Sequence, residues 1–83
     1  MHMKKIITDN AFGQNLQKIR LAKGLTQEQT VAKLQLLGSP LTRGTYSLIE
    51  MGRGNIFASD LVGLKQIFNV DYADFFEGVP SAR

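Results

Sequence analysis

The 83-residue chain contains no cysteine, no tryptophan, two prolines and a single histidine, His2. Absence of cysteine excludes disulfide staples and thiolate metal sites together. The seven carboxylates are scattered, with neither a paired arrangement nor metal-ligand spacing. Acid–base and metal chemistry therefore lack their usual groups. Glycine is frequent, but no Gly-x-Gly-x-x-Gly or phosphate-loop pattern occurs. No enzymatic activity, cofactor, metal or small-molecule ligand is expected. Apolar runs also stay well below the ~20 residues needed to span a bilayer. Lys4 and Lys5 are followed only by Ile6 and Ile7, short of the ~7–15 apolar residues of a signal peptide. A cytoplasmic location, with no membrane partner, is expected.

What the chain does contain fits one folded domain. Hydrophobic residues make up 43% and charged residues 20%, a balance that argues against global disorder. The length allows one compact core and no second. Charge is unevenly placed: residues 1–57 carry eight Lys or Arg against three Asp or Glu, whereas residues 58–83 carry two against four. The basic part suits an anionic partner, with nucleic acid ahead of a membrane because no strongly apolar face accompanies it.

Residues 1–8 read as a flexible arm, and Asp9 or Asn10 as the cap of a first helix. Phe12, Leu16 and Ile19 recur at helical spacing, and Gly24 supplies a left-handed terminus. Thr26 to Gln29 is a Thr-x-x-Gln capping box opening a second helix to about Leu37. Gly38, Ser39 and Pro40 end it. Thr42 caps a third helix with Tyr46 and Ile49 inward and Thr45 at the margin, closed by Gly52. Arg53 to Ile56 reads as irregular. A fourth helix, about Ser59 to Phe68, carries Leu61, Leu64, Ile67 and Phe68 as its buried stripe. Asp71 caps a last short helix to about Phe76, and residues 78–83 read as a disordered tail. The domain proper is expected over residues 9–77, all-α, with no strand pattern.

A capped helix, a break and a second short helix make a helix-turn-helix. The order Ile19-Arg20, Lys23-Gly24-Leu25-Thr26-Gln27-Glu28, Thr42 to Glu50, Gly52, then Asn69-Val70-Asp71 ahead of Phe75-Phe76 resembles the phage repressor and Cro-like, or XRE-type, helix-turn-helix family. That resemblance spans about Phe12 to Phe76. It implies a compact five-helix, lambda-repressor-like domain that binds double-stranded DNA and regulates transcription, most simply as a repressor. Two departures stand out: Thr30 and Val31 replace the family's leucine and small residue, and the interval from Thr26 to Glu50 is longer than the common form. Val31 is expected to push the two helices apart.

Helical periodicity leaves Arg43, Gly44, Ser47 and Leu48 facing outward from the third helix, and the resemblance implies that these read base edges. Arg43 suits guanine, since a guanidinium can donate two parallel bonds to O6 and N7. Gly44 permits close approach, and Ser47 suits a base or a phosphate. Leu48 could contact a thymine methyl, or equally serve packing against the core or a partner subunit. Gln27, Thr42, Thr45, Arg53 and Asn55 are candidates for phosphate contact; Thr42 and Gln27 also have plain helix-forming roles. Tyr46 reads as core. The resemblance further implies an ion pair between Arg20 and Glu50 beneath the DNA face.

Phe57, Phe68, Phe75, Phe76 and Tyr72 crowd the last third of the chain. Core filling explains them, and exposure of part of the set would make a two-fold contact. A homodimer, formed free or only on DNA, would read two half-sites of an inverted repeat. The alternative from another class is a helix-turn-helix antitoxin or adaptor whose main partner is a protein.

Overall fold

The computed structural model describes residues 5–80. Its elements are β1 (Lys5–Ile7), α1 (Asn10–Ala22), α2 (Gln27–Leu36), α3 (Arg43–Glu50), β2 (Asn55–Phe57), α4 (Ala58–Phe68) and α5 (Tyr72–Phe75). Local chemistry sets most of the boundaries. Asp9 caps α1 by accepting from Phe12 N at 2.8 Å. At α2 the capping box is complete: Thr26 Oγ1 accepts from Gln29 N at 3.0 Å, and Gln29 Oε1 accepts from Thr26 N at 2.9 Å. Asn69 ends α4 in the left-handed region at φ 54°, which asparagine tolerates better than most residues.

The helices close on one core built from Phe12, Leu16, Val31, Leu34, Leu41, Tyr46, Ile49, Ile56, Leu61, Leu64, Phe68 and Phe75. Helix α1 packs on α3 and α5, and α2 packs on α3 and α4. Two glycines permit the close crossings. A Cβ on Gly13 would lie 2.8 Å from the carbonyl oxygen of Ile49 and collide with that of Glu50, so α1 and the end of α3 touch backbone to backbone. On Gly63 it would lie 3.0 Å from Leu34 Cδ2.

Val31, expected to push the two helices apart, and its neighbour Thr30 are both buried in α2. The Thr30 hydroxyl donates to the carbonyl of Thr26 at 3.0 Å, which satisfies it without a side-chain partner. Helix α2 ends at Leu36, and residues 37–42 form the connection to α3. That connection is tied down by two side chains: Gln35 Nε2 donates to the Leu41 carbonyl at 3.0 Å, and Ser39 Oγ accepts from Leu41 N at 3.1 Å.

Four expectations are corrected. The segment read as a loose arm contributes a strand: β1 pairs antiparallel with β2, with Lys5 opposite Phe57, Ile6 opposite Ile56 and Ile7 opposite Asn55. The supposedly irregular residues 55–56 are its partner, and Thr8, beyond the strand, is buried. Residues 1–4 of that arm lie outside the described residues. In the expected tail Val79 packs against the core; residues 81–83 lie outside the described residues. Finally, Thr45 is exposed, not marginal, and the third inward residue of α3 is Glu50.

Candidate nucleic-acid interface

Helices α2 and α3 present their N-terminal ends to the same side of the molecule. An open cleft of about 630 Å³ between them is lined by Arg20, Thr26, Gln27, Glu28 and Arg43, among others. The free first-turn amides of a helix carry a partial positive charge, which with Arg43 offers an anion a favourable approach at the helix ends, opposed by the Glu28 carboxylate. Thr42 caps α3, accepting from Thr45 N at 3.2 Å and donating to Thr45 Oγ1 at 3.1 Å. Both threonines remain exposed.

The outward face of α3 carries Arg43, Gly44, Leu48 and Met51 in the open and Ser47 half-buried. Apart from its chain neighbours and its own helix backbone, no atom of the described residues approaches within 4 Å of where a Gly44 Cβ would stand. Leu48 is 45% and Met51 48% exposed, so neither completes the core. Met51 escaped the sequence reading, although its spacing of three from Leu48 and four from Ser47 is the signal that finds it. Beyond the helix, Arg53 and Asn55 are exposed. The chain there is anchored by Gly52 N to the Ile49 carbonyl at 3.0 Å and Arg53 N to the Leu48 carbonyl at 2.9 Å, a Schellman-type close with Gly52 at φ 74°.

Beneath this face lies a buried network. Arg20 Nε donates to Glu50 Oε2 at 2.6 Å and Arg20 Nη2 donates to Glu50 Oε1 at 3.0 Å, a bidentate pair. Arg20 Nη1 also donates to the Leu25 carbonyl at 2.8 Å, which couples the end of α1 to the start of the helix-turn-helix. Gln27 Nε2 donates to Glu50 Oε1 at 3.1 Å. Gln27 therefore spends one donor inward, joining α2 to α3, and the sequence carried no sign of that partner.

The charges respond to this enclosure. Burial pushes the Glu50 carboxyl up, but the bonds from Arg20 and Gln27, with the Tyr46 hydroxyl close by, outweigh it and hold Glu50 below its ordinary value. The hydrogen bond to Glu50 raises Arg20 further, against desolvation. Burial, with Glu50 beside it, drives the Tyr46 phenol far above its usual range. Its hydroxyl lies in this enclosure with no hydrogen bond of regular geometry. The charge of Arg20 is thus paired in place, whereas Arg43 and Arg53 are exposed.

The expected site residues fall into two groups. Arg43, Gly44, Ser47 and Leu48 share the outer face of α3, flanked by Thr42 and Thr45 at one end and by Arg53 and Asn55 at the other. Arg20, Glu50 and Gln27 sit behind it. Of the five aromatics in the last third, Phe68 and Phe75 are wholly buried. Phe57 is half-buried, and the Phe76 ring meets that of Phe12 at a tilt of 49°, 5.4 Å between centroids. Tyr72 and Phe76 keep 39% exposure each. Among the described residues no helix is long and apolar enough to cross a membrane, and no group of three or more His, Cys, Asp or Glu could hold a metal ion.

Fold and site together define an all-α helix-turn-helix domain. The chain is similar in structure to the restriction-modification controller protein C.AhdI from Aeromonas hydrophila, with a TM-score of 0.70 and 27% identity over 81% of this chain and 94% of that one. No family model matches the sequence, and no curated protein matches it.

Proposed function

We propose that the protein is a cytoplasmic, non-enzymatic regulator of transcription that binds double-stranded DNA sequence-specifically, most simply as a repressor, and inserts α3 into the major groove. The observation that carries this reading is the outer face of α3: an exposed arginine, an unobstructed glycine, a hydroxyl and two exposed apolar side chains on a helix braced from behind by a buried ion pair. The major groove is ~12 Å wide and admits a helix. Likeness to a restriction-modification controller supports a regulatory role.

In this reading Arg43 pairs with guanine, Leu48 and Met51 meet thymine methyls, and Ser47 bonds a base or a phosphate. Thr42, Thr45, Arg53 and Asn55 hold the sugar-phosphate backbone, together with the first-turn amides of α2. Gln27 acts mainly through Glu50. A homodimer on an inverted repeat doubles the sequence read by so short a helix. No cofactor is required.

Selection from randomised duplexes followed by sequencing tests the reading. Enrichment of one inverted-repeat site, bound well over tenfold tighter than random duplex and weakened by salt, is the expected result. Weak, uniform binding would instead favour the adaptor or antitoxin reading. One observation speaks for that second reading: Leu36 is 87% and Leu37 55% exposed, and with Ile67 and Gln66 of α4 they line an open groove between α2 and α4.

A further inference from the structure

The N-terminal strand has no place in the helix-turn-helix itself. It is nevertheless fastened to the segment that leaves α3. Beyond the strand pairs, both the backbone N–H and the hydroxyl of Thr8 donate to one acceptor, the Gly54 carbonyl. Thr8 is 95% buried at this junction, being 5% exposed. At Gly52 a Cβ would come within 2.6 Å of Asn10 N, so the start of α1 lies directly against the turn that ends α3. Residues 52–57 are therefore pinned at one end by the close of α3 and along their length by Thr8 and β1.

That pinned segment faces the candidate interface. A cleft of about 310 Å³ is lined by Leu41, Thr45, Asn55 and Ile56, among others, which sets Asn55 beside the first turn of α3. Arg53 and Asn55 flank Gly54, the residue whose carbonyl Thr8 holds. An exposed loop in this position would have to be ordered on binding, at a cost in conformational entropy. Here the ordering is already done by the strand.

We propose that β1 and Thr8 form a positioning device that presets Arg53 and Asn55 for the phosphate backbone. The inference rests on the DNA-binding reading above. Thr8 and β1 touch no DNA in this scheme; they fix residues that do. An antiparallel ladder alternates bonded and unbonded pairs, so with Thr8 bonded to Gly54 the next bonded pair is Ile6 with Ile56. Ile6→Pro removes that donor, and Thr8→Val removes only the hydroxyl.

The experiment measures affinity of the full-length wild type and of both variants for the selected duplex over a salt series, alongside melting temperature. Both variants are expected to bind about five- to tenfold more weakly, with base preference unchanged and the slope of log affinity against log salt flattened by up to about one unit. In an Arg53→Ala/Asn55→Ala background the same substitutions should cost nothing further. A merely structural role would lower melting temperature without that selective loss. Wild-type affinity in both variants, or losses that persist in full in the Arg53→Ala/Asn55→Ala background, would overturn the positioning role while leaving DNA binding intact. A wild type that binds no duplex overturns the DNA reading and this inference with it. Thr8→Val is the milder change and decides the matter if Ile6→Pro does not fold.

Discussion

Arg20 and Glu50 lie 30 residues apart in sequence yet form a two-point ion pair, Nε to Oε2 at 2.6 Å and Nη2 to Oε1 at 3.0 Å, with both side chains almost fully enclosed. The pair joins the end of α1 to the end of α3, and Gln27 adds α2 to the same carboxylate. Three helices thus share one anion directly beneath the outward face of α3.

Removing one partner leaves the other charge buried without its counterion. Glu50→Ala is expected to cost ~3–5 kcal/mol, far more than a surface pair would. Arg20→Ala should cost a comparable amount, and the double variant much less than their sum. Urea unfolding of the four proteins gives the cycle. Strict additivity would mean that the pair contributes nothing beyond its separate parts.

The same carboxylate sets an acid limb. Because the folded-state pKa of Glu50 is lowered from an ordinary 4.5, its stabilisation is present above that ordinary value and is lost as pH falls through the lower folded one. Tyr46 sets the opposite limb: its raised phenol stabilises fully below the ordinary 10.0 and progressively less above it. Denaturation midpoints should fall on both sides of a neutral plateau. Glu50→Gln should flatten the acid limb, and an unchanged acid limb in that variant would count against the mechanism.

Much of this architecture is legible locally. Caps at Asp9, Thr26 and Thr42, the glycine closing α3 and the helical stripes depend on neighbours within a turn or two, so the residues announce them. The ion pair was implied by family resemblance, not by spacing. Strand β1 was illegible because three residues carry too little periodicity and their partner lies far along the chain. Gln27 was assigned outward for a related reason: its inward bond depends on where α3 ends, a tertiary fact. Thr45 and Met51 show the limit within one helix, where periodicity places both outside but attention to the core hides them.

Two glycines should respond oppositely to the same added methyl. Gly13→Ala forces a Cβ into the carbonyls of Glu50 and Ile49, so overpacking of ~1–3 kcal/mol or more is expected. Gly44→Ala meets nothing within 4 Å and removes a poor helix former from α3, so stability should hold or rise by up to ~1 kcal/mol. Binding to the selected duplex should nevertheless weaken, because the methyl enters the groove face. Calorimetric melting and titration separate the effects; a Gly44→Ala protein with undiminished affinity would remove that face from the interface.

Assembly can be assigned between two exposed apolar regions. Tyr72 and Phe76 crown α5, with Lys65 Nζ over the Tyr72 ring at 5.4 Å; Leu36 and Leu37, at the end of α2 against α4, form the other region. Tyr72→Glu is expected to shift a dimer toward monomer in sedimentation and to lower affinity for an inverted repeat more than for a half-site. If Leu36→Glu does this and Tyr72→Glu does not, the subunits meet on the α2–α4 side instead.

Arg43 and Arg53 bracket α3, one in its first turn and the other just beyond its end, and both are exposed. Their deletions should differ in kind. Arg43→Ala is expected to cost ~1–3 kcal/mol on the preferred site and to relax the choice at one base pair, since a guanidinium paired with guanine O6 and N7 discriminates among bases. Arg53→Ala should weaken all sequences alike and flatten the salt dependence by about one unit, as expected of a phosphate contact that displaces one counterion. Matched and single-mismatch duplexes over a salt series distinguish the two signatures. An Arg43→Ala protein that keeps its base preference and changes only its salt slope would move base readout away from the first turn of α3, toward Ser47, Leu48 and Met51.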